Sequence, residues 1–269
     1  MRLLIKWVLF LIVLLSSPMF FDFISAEPVN ITWSDIKDDI VWDGKWTTEK
    51  EWKPSSLNQF KYDQYFYIRS AHQEEFIYIM IDVPRDVTNN SDFFLTDADK
   101  SMICFDTQNN KSQIPDDDDY CFIATLGSDK GITLQGGSPS VTENYFKKIQ
   151  NHKDFIAIGS VSDQNDIYSK IPHAGYEFRI PIDVLGRSDN YGFLVYVYDD
   201  NEKLITTWPD LIEIDDSKSI PSPSQWGDMI SPDKSLPEFG FPMILFSVGI
   251  ILTIVLLAFK NPLRYQVKV

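Results

Sequence analysis

The fold is decided by residues 76–83, Phe-Ile-Tyr-Ile-Met-Ile-Asp-Val, and by residues 192–198, Gly-Phe-Leu-Val-Tyr-Val-Tyr. Each stretch is a nearly continuous run of β-branched and aromatic residues with the length of one strand. A strand with apolar residues on both faces is typical of the middle of a β-sandwich, where other parts of the chain cover both of its faces. Both stretches are therefore predicted to be central strands.

Five further segments have the length and the apolar pattern of strands. They are Tyr65–Arg69, Ser101–Phe105, Tyr120–Leu126, Phe155–Ser160 and Tyr176–Ile182. Turn-forming residues separate them, and only Thr47–Trp52 and Asn144–Ile149 suggest short helices. The pattern predicts an all-β fold: one antiparallel β-sandwich domain over residues 27–211.

The composition excludes several classes of function. The chain has 269 residues with a formal net charge of -15, which leaves no basic surface for a nucleic acid. Three His and two Cys are too few for a structural zinc cluster of Cys and His ligands or for an iron–sulfur site.

Residues 1–26 are predicted to form a secretory signal peptide. Arg2 and Lys6 give it a positive start, residues 7–15 form an apolar run, and Ala26 closes a small-residue cleavage site. The apolar run is too short to cross a bilayer, which favours cleavage over a permanent N-terminal anchor.

The C-terminal region is predicted to be a membrane anchor. Residues 239–259 are uncharged and long enough to cross a bilayer, and residues 260–269 form a basic tail. The positive-inside rule places this tail in the cytoplasm and the domain outside the cell, at the cell surface. Residues 212–238 are rich in Ser, Pro and Asp and are predicted to be a stalk. The body between the two apolar segments, residues 27–238, has a net charge of -19.

Pro237, Glu238, Phe239 and Gly240 stand directly before this apolar span. The motif, the span and the basic tail together resemble the C-terminal PEFG-type sorting signal of archaeal surface proteins that an archaeosortase processes. The resemblance implies cleavage near the motif by such an enzyme and attachment to the cell surface. A permanent single-span anchor is the alternative, since the tail has fewer basic residues than this family usually shows.

Four motifs in order resemble family 9 carbohydrate-binding modules and their DOMON-like relatives. Residues 40–46 with Glu51 and Trp52 match the family's opening, and residues 76–82 match its central strand. Residues 176–181 with 184–186 match its Tyr-Glu element, and residues 192–200 and 206–209 match its closing strand and the turn of that strand. The resemblance covers residues 35–210. It implies a β-sandwich that binds a saccharide or a cell-surface glycan without catalysis. No catalytic residues are predicted, although glycoside hydrolases often accompany such modules.

Tryptophan residues are the candidate carbohydrate-binding groups, because flat aromatic rings stack on the apolar faces of sugars. We name Trp208, Trp226 and Trp46 as candidates. The alternative for each of them is a place in the core or, for Trp226, docking of the stalk on the domain.

The acidic loop of residues 106–119 is a candidate calcium site. Calcium prefers several carboxylate oxygens in a flexible loop, and the family resemblance also implies structural calcium. Asp106, Asp116 and Asp118 are the preferred ligands, and a solvated loop without an ion is the alternative. Cys104 and Cys121 flank the loop in an oxidising compartment, which favours a disulfide over two free thiols.

Two alternatives to saccharide binding stay open. Some DOMON-like relatives bind haem b through Met and His or Lys, and this chain offers Met80, Met102, His72 and His173 for such an electron-transfer domain. The other alternative is a surface-layer or adhesion component without a small ligand. Asn30, Asn89 and Asn110 each begin a glycosylation sequon, as in proteins exposed outside the cell.

Overall fold

The structure is a computed structural model, and it describes residues 26–60, 65–89, 98–141, 144–210, 214 and 219–233. The predicted signal peptide up to residue 25, the sorting motif, the apolar span and the basic tail lie outside the described residues. Within the described residues, no helix has the length and hydrophobicity that crossing a membrane requires.

The described residues form fourteen strands and one short α-helix. The strands are β1 (Val29–Asn30), β2 (Thr32–Trp33), β3 (Ser56–Phe60), β4 (Phe66–Gln73), β5 (Phe76–Val83), β6 (Lys100–Asp106), β7 (Asp119–Thr125), β8 (Ile132–Gln135), β9 (Lys147–Ile149), β10 (Ile156–Val161), β11 (Ala174–Pro181), β12 (Asn190–Asp199), β13 (Leu204–Trp208) and β14 (Gly227–Ile230). The α-helix, α1, is Ile182–Leu185, and a 3₁₀ turn occupies Pro223–Gln225.

The strands form two sheets that pack face to face as a β-sandwich, as predicted. The large sheet has the order β1-β14-β12-β6-β7-β8-β9, with β13 also pairing β12. The small sheet has the order β10-β11-β5-β4-β2, with β3 also pairing β4. Pairing is antiparallel except where β1 meets β14 and β2 meets β4. All seven predicted strands are present.

The main core lies between the sheets because side chains alternate along each strand. Strand β5 sends Ile77 and Ile79 inward, and β12 sends Phe193 and Val195 inward to the same core. The outward residues of β5 are also buried, since residues 36–52 cover them in a second apolar cluster. This second cover explains why residues 76–83 are apolar at nearly every position.

Two local predictions were wrong. Thr47–Trp52 forms turns and Asn144–Ile149 contains strand β9, so neither segment is helical. Part of the predicted stalk is also structured, because β14 is an integral strand that pairs with β12 and β1. Residues 219–233 therefore belong to the domain, although their Ser- and Pro-rich composition is typical of a linker.

Candidate functional site

A row of aromatic rings lies on the outer face of the small sheet. Tyr65 meets Tyr67 edge to face at 6.1 Å, and Tyr67 stacks on Tyr168 at 3.9 Å with an interplanar angle of 12°. Tyr168 meets the buried Trp46 edge to face at 5.9 Å. The three tyrosines are half-buried, so the row is anchored in the domain and reaches solvent. We call Tyr65, Tyr67, Tyr168 and Trp46 the aromatic row.

Polar groups hold the aromatic row in place. Arg69 Nε donates a hydrogen bond of 2.6 Å to the Tyr168 hydroxyl, and its guanidinium lies 5.4 Å from the centre of the Trp46 ring. Gln59 Nε2 donates to the Tyr67 hydroxyl at 3.3 Å. Burial raises the pKa of Tyr168 to about 12, so its phenol stays neutral at physiological pH. The surface thus combines half-buried aromatic rings with hydroxyl and guanidinium groups that are held in place.

The local sequence explains the positions of Tyr67 and Arg69 but not the position of Tyr168. Strand β4 alternates so that Phe66 and Ile68 enter the core while Tyr67 and Arg69 point outward. Tyr168 comes from the loop before β11, where the Asp166 carboxylate accepts its backbone N–H at 2.7 Å. The alternation of β4 could have indicated Tyr67 from the sequence, whereas no local pattern marks Tyr168 as its partner.

The structure separates the three predicted tryptophans. Trp46 is 2% exposed and forms the inner end of the aromatic row. Trp208 is 1% exposed and packs in the main core against Phe60 and Phe193. Trp226 is 4% exposed and covers the outer face of the large sheet, where its Nε1 donates to the Pro221 carbonyl. A buried ring offers no free face to a sugar, so these three side chains do not form a stacking platform.

Residues of the family-like motifs meet in one buried network. The Glu177 carboxylate accepts hydrogen bonds from Gly44 N at 2.8 Å and from Trp52 Nε1 at 2.9 Å. Glu51 accepts in turn from Thr47 N at 2.6 Å. Burial raises the pKa of Glu177 to about 8. The network ties residues 43–52 to β11, which gives these motif residues a structural role.

The acidic loop does not bring the predicted calcium ligands together as one set. Asp116, Asp117 and Asp118 place carboxylate oxygens within 4.8 Å of one another, without Asp106. Asp106 is buried, and its two oxygens accept the backbone N–H groups of Asn110 at 3.1 Å and Lys111 at 2.8 Å. Its carboxylate therefore shapes the turn after β6.

A second carboxylate group fits a calcium ion better. Asp86 follows β5, Asp99 precedes β6 and Asp199 ends β12, so the group joins the two sheets at one end of the sandwich. All three residues are buried, and their oxygens lie within 4.8 Å of one another. Asp86 Oδ2 has no hydrogen-bond partner, and burial together with Asp99 raises the pKa of Asp86 to about 7. We call these residues the inter-sheet triad; the sequence gives no spacing signal for it.

The remaining predicted residues have clear places. Cys104 and Cys121 form the predicted disulfide between neighbouring strands β6 and β7. Asn30, Asn89 and Asn110 are all exposed, as glycan attachment requires.

The candidate haem ligands are scattered. Met80 packs on the outer face of the small sheet, and Met102 packs on the outer face of the large sheet. His72 is buried in β4, and His173 is buried directly before β11.

A cavity of about 150 Å³ opens between the sheets near α1. Phe122 and Phe155 form its aromatic wall, and Thr133, Gln150 and His152 are its polar groups. The Thr133 hydroxyl is buried without a hydrogen-bond partner. The cavity is smaller than most ligand pockets, which makes it a weaker candidate than the aromatic row.

Comparisons with known proteins find solved structures that are similar to this chain. No family model matches the chain, and no curated protein matches it. A family 9 carbohydrate-binding module from Caldicellulosiruptor kristjanssonii in complex with cellotriose is similar, with a TM-score of 0.46 and 13% identity over 76% of this chain and 93% of that one. A family 9 module from the same organism in complex with glucose has a TM-score of 0.48 and 12% identity over 76% of this chain and 95% of that one.

Proposed function

We propose that this protein is a non-catalytic carbohydrate-binding module that presents a saccharide-binding surface outside the cell. The aromatic row is the observation that carries this proposal, since Tyr67 and Tyr168 stack at 3.9 Å on a partly exposed face. The resemblance of the sequence to family 9 modules supports the same class of ligand.

The chemistry of the row suits a sugar. A pyranose ring has an apolar face of C–H groups, which packs on an aromatic ring, and a rim of hydroxyls, which needs hydrogen-bond partners. Arg69 and Gln59 donate to the hydroxyls of Tyr168 and Tyr67, so polar groups lie directly beside the rings. The ordered contacts within the row lower the entropy cost of binding, because the rings are held in place before the sugar arrives.

Calcium is proposed as a structural ion at the inter-sheet triad rather than in the acidic loop. Three buried carboxylates need a compensating charge, and calcium prefers oxygen ligands of this kind. The unpartnered Oδ2 of Asp86 is a ready ligand atom. An ion here would join Asp86 of the small sheet to Asp99 and Asp199 of the large sheet.

Attachment to the cell surface is proposed from the sequence. Residues 239–259 would form a single membrane span, and the motif at residues 237–240 would direct processing. The net charge of -19 over residues 27–238 favours a neutral or cationic ligand, because an anionic polysaccharide would be repelled.

The test is binding of the purified full chain to a broad panel of glycans. We expect saturable binding that Tyr67→Ala and Tyr168→Ala each weaken by about tenfold or more, because each change removes a stacked ring. The matched control is Trp33→Ala, which removes an aromatic side chain that is 51% exposed and lies outside the row. Equal affinities for the wild type and both tyrosine variants would contradict the proposed site. Absence of binding to any neutral glycan would contradict the function.

A further inference from the structure

A second buried group of metal-binding side chains lies beneath the aromatic row. It consists of Asp82 on β5, Asp166 in the loop after β10, and His173 directly before β11. His173 Nε2 lies 3.0 Å from Asp82 Oδ1 and 3.8 Å from Asp166 Oδ1. All three side chains are at least 98% buried, and each offers one ligand atom within 4.8 Å of the others.

Two carboxylate oxygens in this group are left without partners. Asp82 Oδ2 and Asp166 Oδ2 are buried and have no hydrogen-bond partner. A buried polar atom without a partner costs free energy, and two buried carboxylates in one place cost more. A metal ion, the protonated form of His173 or a proton shared between the carboxylates must therefore compensate their charge.

The orientation of His173 favours an ion. Its Nδ1 lies 2.7 Å from the Ile171 carbonyl oxygen and 2.9 Å from Ser162 Oγ. Because a carbonyl oxygen only accepts hydrogen bonds, Nδ1 carries a proton and donates it in a hydrogen bond to Ile171. Nε2 lies 3.0 Å from Asp82 Oδ1, where it donates its proton to the carboxylate when no metal is bound. Loss of that proton leaves a lone pair directed at the two carboxylates, which a metal ion can take. Metal-binding histidines typically have this arrangement, with one nitrogen on the metal and the other donating to a carbonyl.

We propose that Asp82, Asp166 and His173 form a binding site for a zinc-class transition-metal dication. One imidazole nitrogen and two carboxylate oxygens suit zinc, whereas calcium prefers oxygen ligands alone. Binding displaces the Nε2 proton of a protonated His173 and engages the oxygens that are unpartnered without the metal. The site is independent of the saccharide proposal and of the calcium proposal at the inter-sheet triad.

The metal would also fix the loop that presents Tyr168. Asp166 Oδ1 accepts the backbone N–H groups of Tyr168 at 2.7 Å and Ser169 at 3.2 Å, which leaves Oδ2 for the metal. One carboxylate would thus link the metal to the backbone of the aromatic row. This link makes the metal a positioning group for the loop.

The test is titration of the metal-free full chain with Zn²⁺ against a chromophoric chelator. We expect Asp166→Asn to weaken Zn²⁺ binding at least tenfold, because Asn keeps the Oδ1 acceptor and replaces Oδ2 with an amide. Glu177→Gln is the matched control, since it removes a buried carboxylate that belongs to neither group of metal-binding side chains, and we expect it to leave Zn²⁺ affinity unchanged.

Nuclear magnetic resonance of ¹⁵N-labelled histidine gives a second readout in the unmutated chain. The chain has three histidines, and we expect Zn²⁺ to shift the Nε2 resonance of one of them. The shifted signal should persist in His152→Gln, which alters the half-exposed histidine beside Asp183. Equal Zn²⁺ affinity in the wild type and Asp166→Asn, or no histidine shift, would overturn the proposal and indicate a proton shared between the carboxylates.

Discussion

At the scale of single residues, Glu177 shows how the buried motif network depends on pH. Burial raises the pKa of its carboxyl from 4.5 to about 8, so folding favours the protonated form between these values. We predict that this contribution to stability is complete below about pH 4.5 and is lost as the pH rises through 8. Urea unfolding of the full chain in chelator, followed between pH 5 and pH 9, measures this loss.

Glu177→Gln provides the matched variant for this prediction. The amide cannot accept hydrogen bonds on both sides, so it should cost about 1–3 kcal/mol at pH 5. The deficit should shrink toward pH 9, because glutamine does not ionise. A deficit that grows with pH would contradict the raised pKa of Glu177.

The residue scale also shows what the sequence could and could not reveal about the site. Tyr67 and Arg69 follow from the alternation in residues 65–69, which the strand prediction already contained. Tyr168 depends on a loop whose course is set by the Asp166 carboxylate, and no sequence pattern reports that contact. Trp208 was a candidate for sugar binding, yet Gly227 leaves space for its ring in the core, where a Cβ added at Gly227 would lie 2.4 Å from Trp208 Cη2.

At the scale of elements, β14 and the 3₁₀ turn before it close the outer face of the large sheet. Trp226 packs there in a cluster with Leu194, Tyr196 and the Cys104–Cys121 disulfide. Residues 219–225 could not be recognised as part of the domain from the sequence, because a Ser- and Pro-rich composition is typical of linkers. A short strand of four residues is likewise too brief to show a period.

Trp226→Ala tests the docking of this element. Removing a buried indole creates a cavity, and we predict a loss of about 3–5 kcal/mol in the free energy of unfolding. Trp33→Ala removes a half-exposed indole from β2 and should cost less than about 1 kcal/mol. Denaturant unfolding of the two variants compares them directly, and equal losses would show that residues 219–226 do not stabilise the domain.

At the scale of the whole molecule, two sheets meet at a group of three buried carboxylates. The sandwich itself was predictable, because residues 76–83 and 192–198 are apolar on both faces. The inter-sheet triad was not, since Asp86, Asp99 and Asp199 come from the ends of three strands and meet only when the two sheets pack. The inter-sheet triad therefore exists only in the folded domain.

Calcium should therefore stabilise the whole domain. At one hundred times the dissociation constant, binding to the native state alone adds about 2.7 kcal/mol, which raises the Tm by about 5–10 °C for a domain of this size. We predict that Asp86→Asn abolishes this rise and that Asp118→Asn in the acidic loop preserves it. Differential scanning calorimetry with calcium and with chelator measures both, and the opposite pattern would place the ion in the loop.

The central claim is that a saccharide stacks on the aromatic row. Intermolecular nuclear Overhauser effects between the C–H protons of a bound glycan and the aromatic ring protons of the full chain test it most directly. The account predicts contacts from the sugar to Tyr67 or Tyr168, in a complex where the Trp208 ring shows none. Contacts confined to Phe155 and the neighbouring cavity, or to the exposed Trp33, would contradict it.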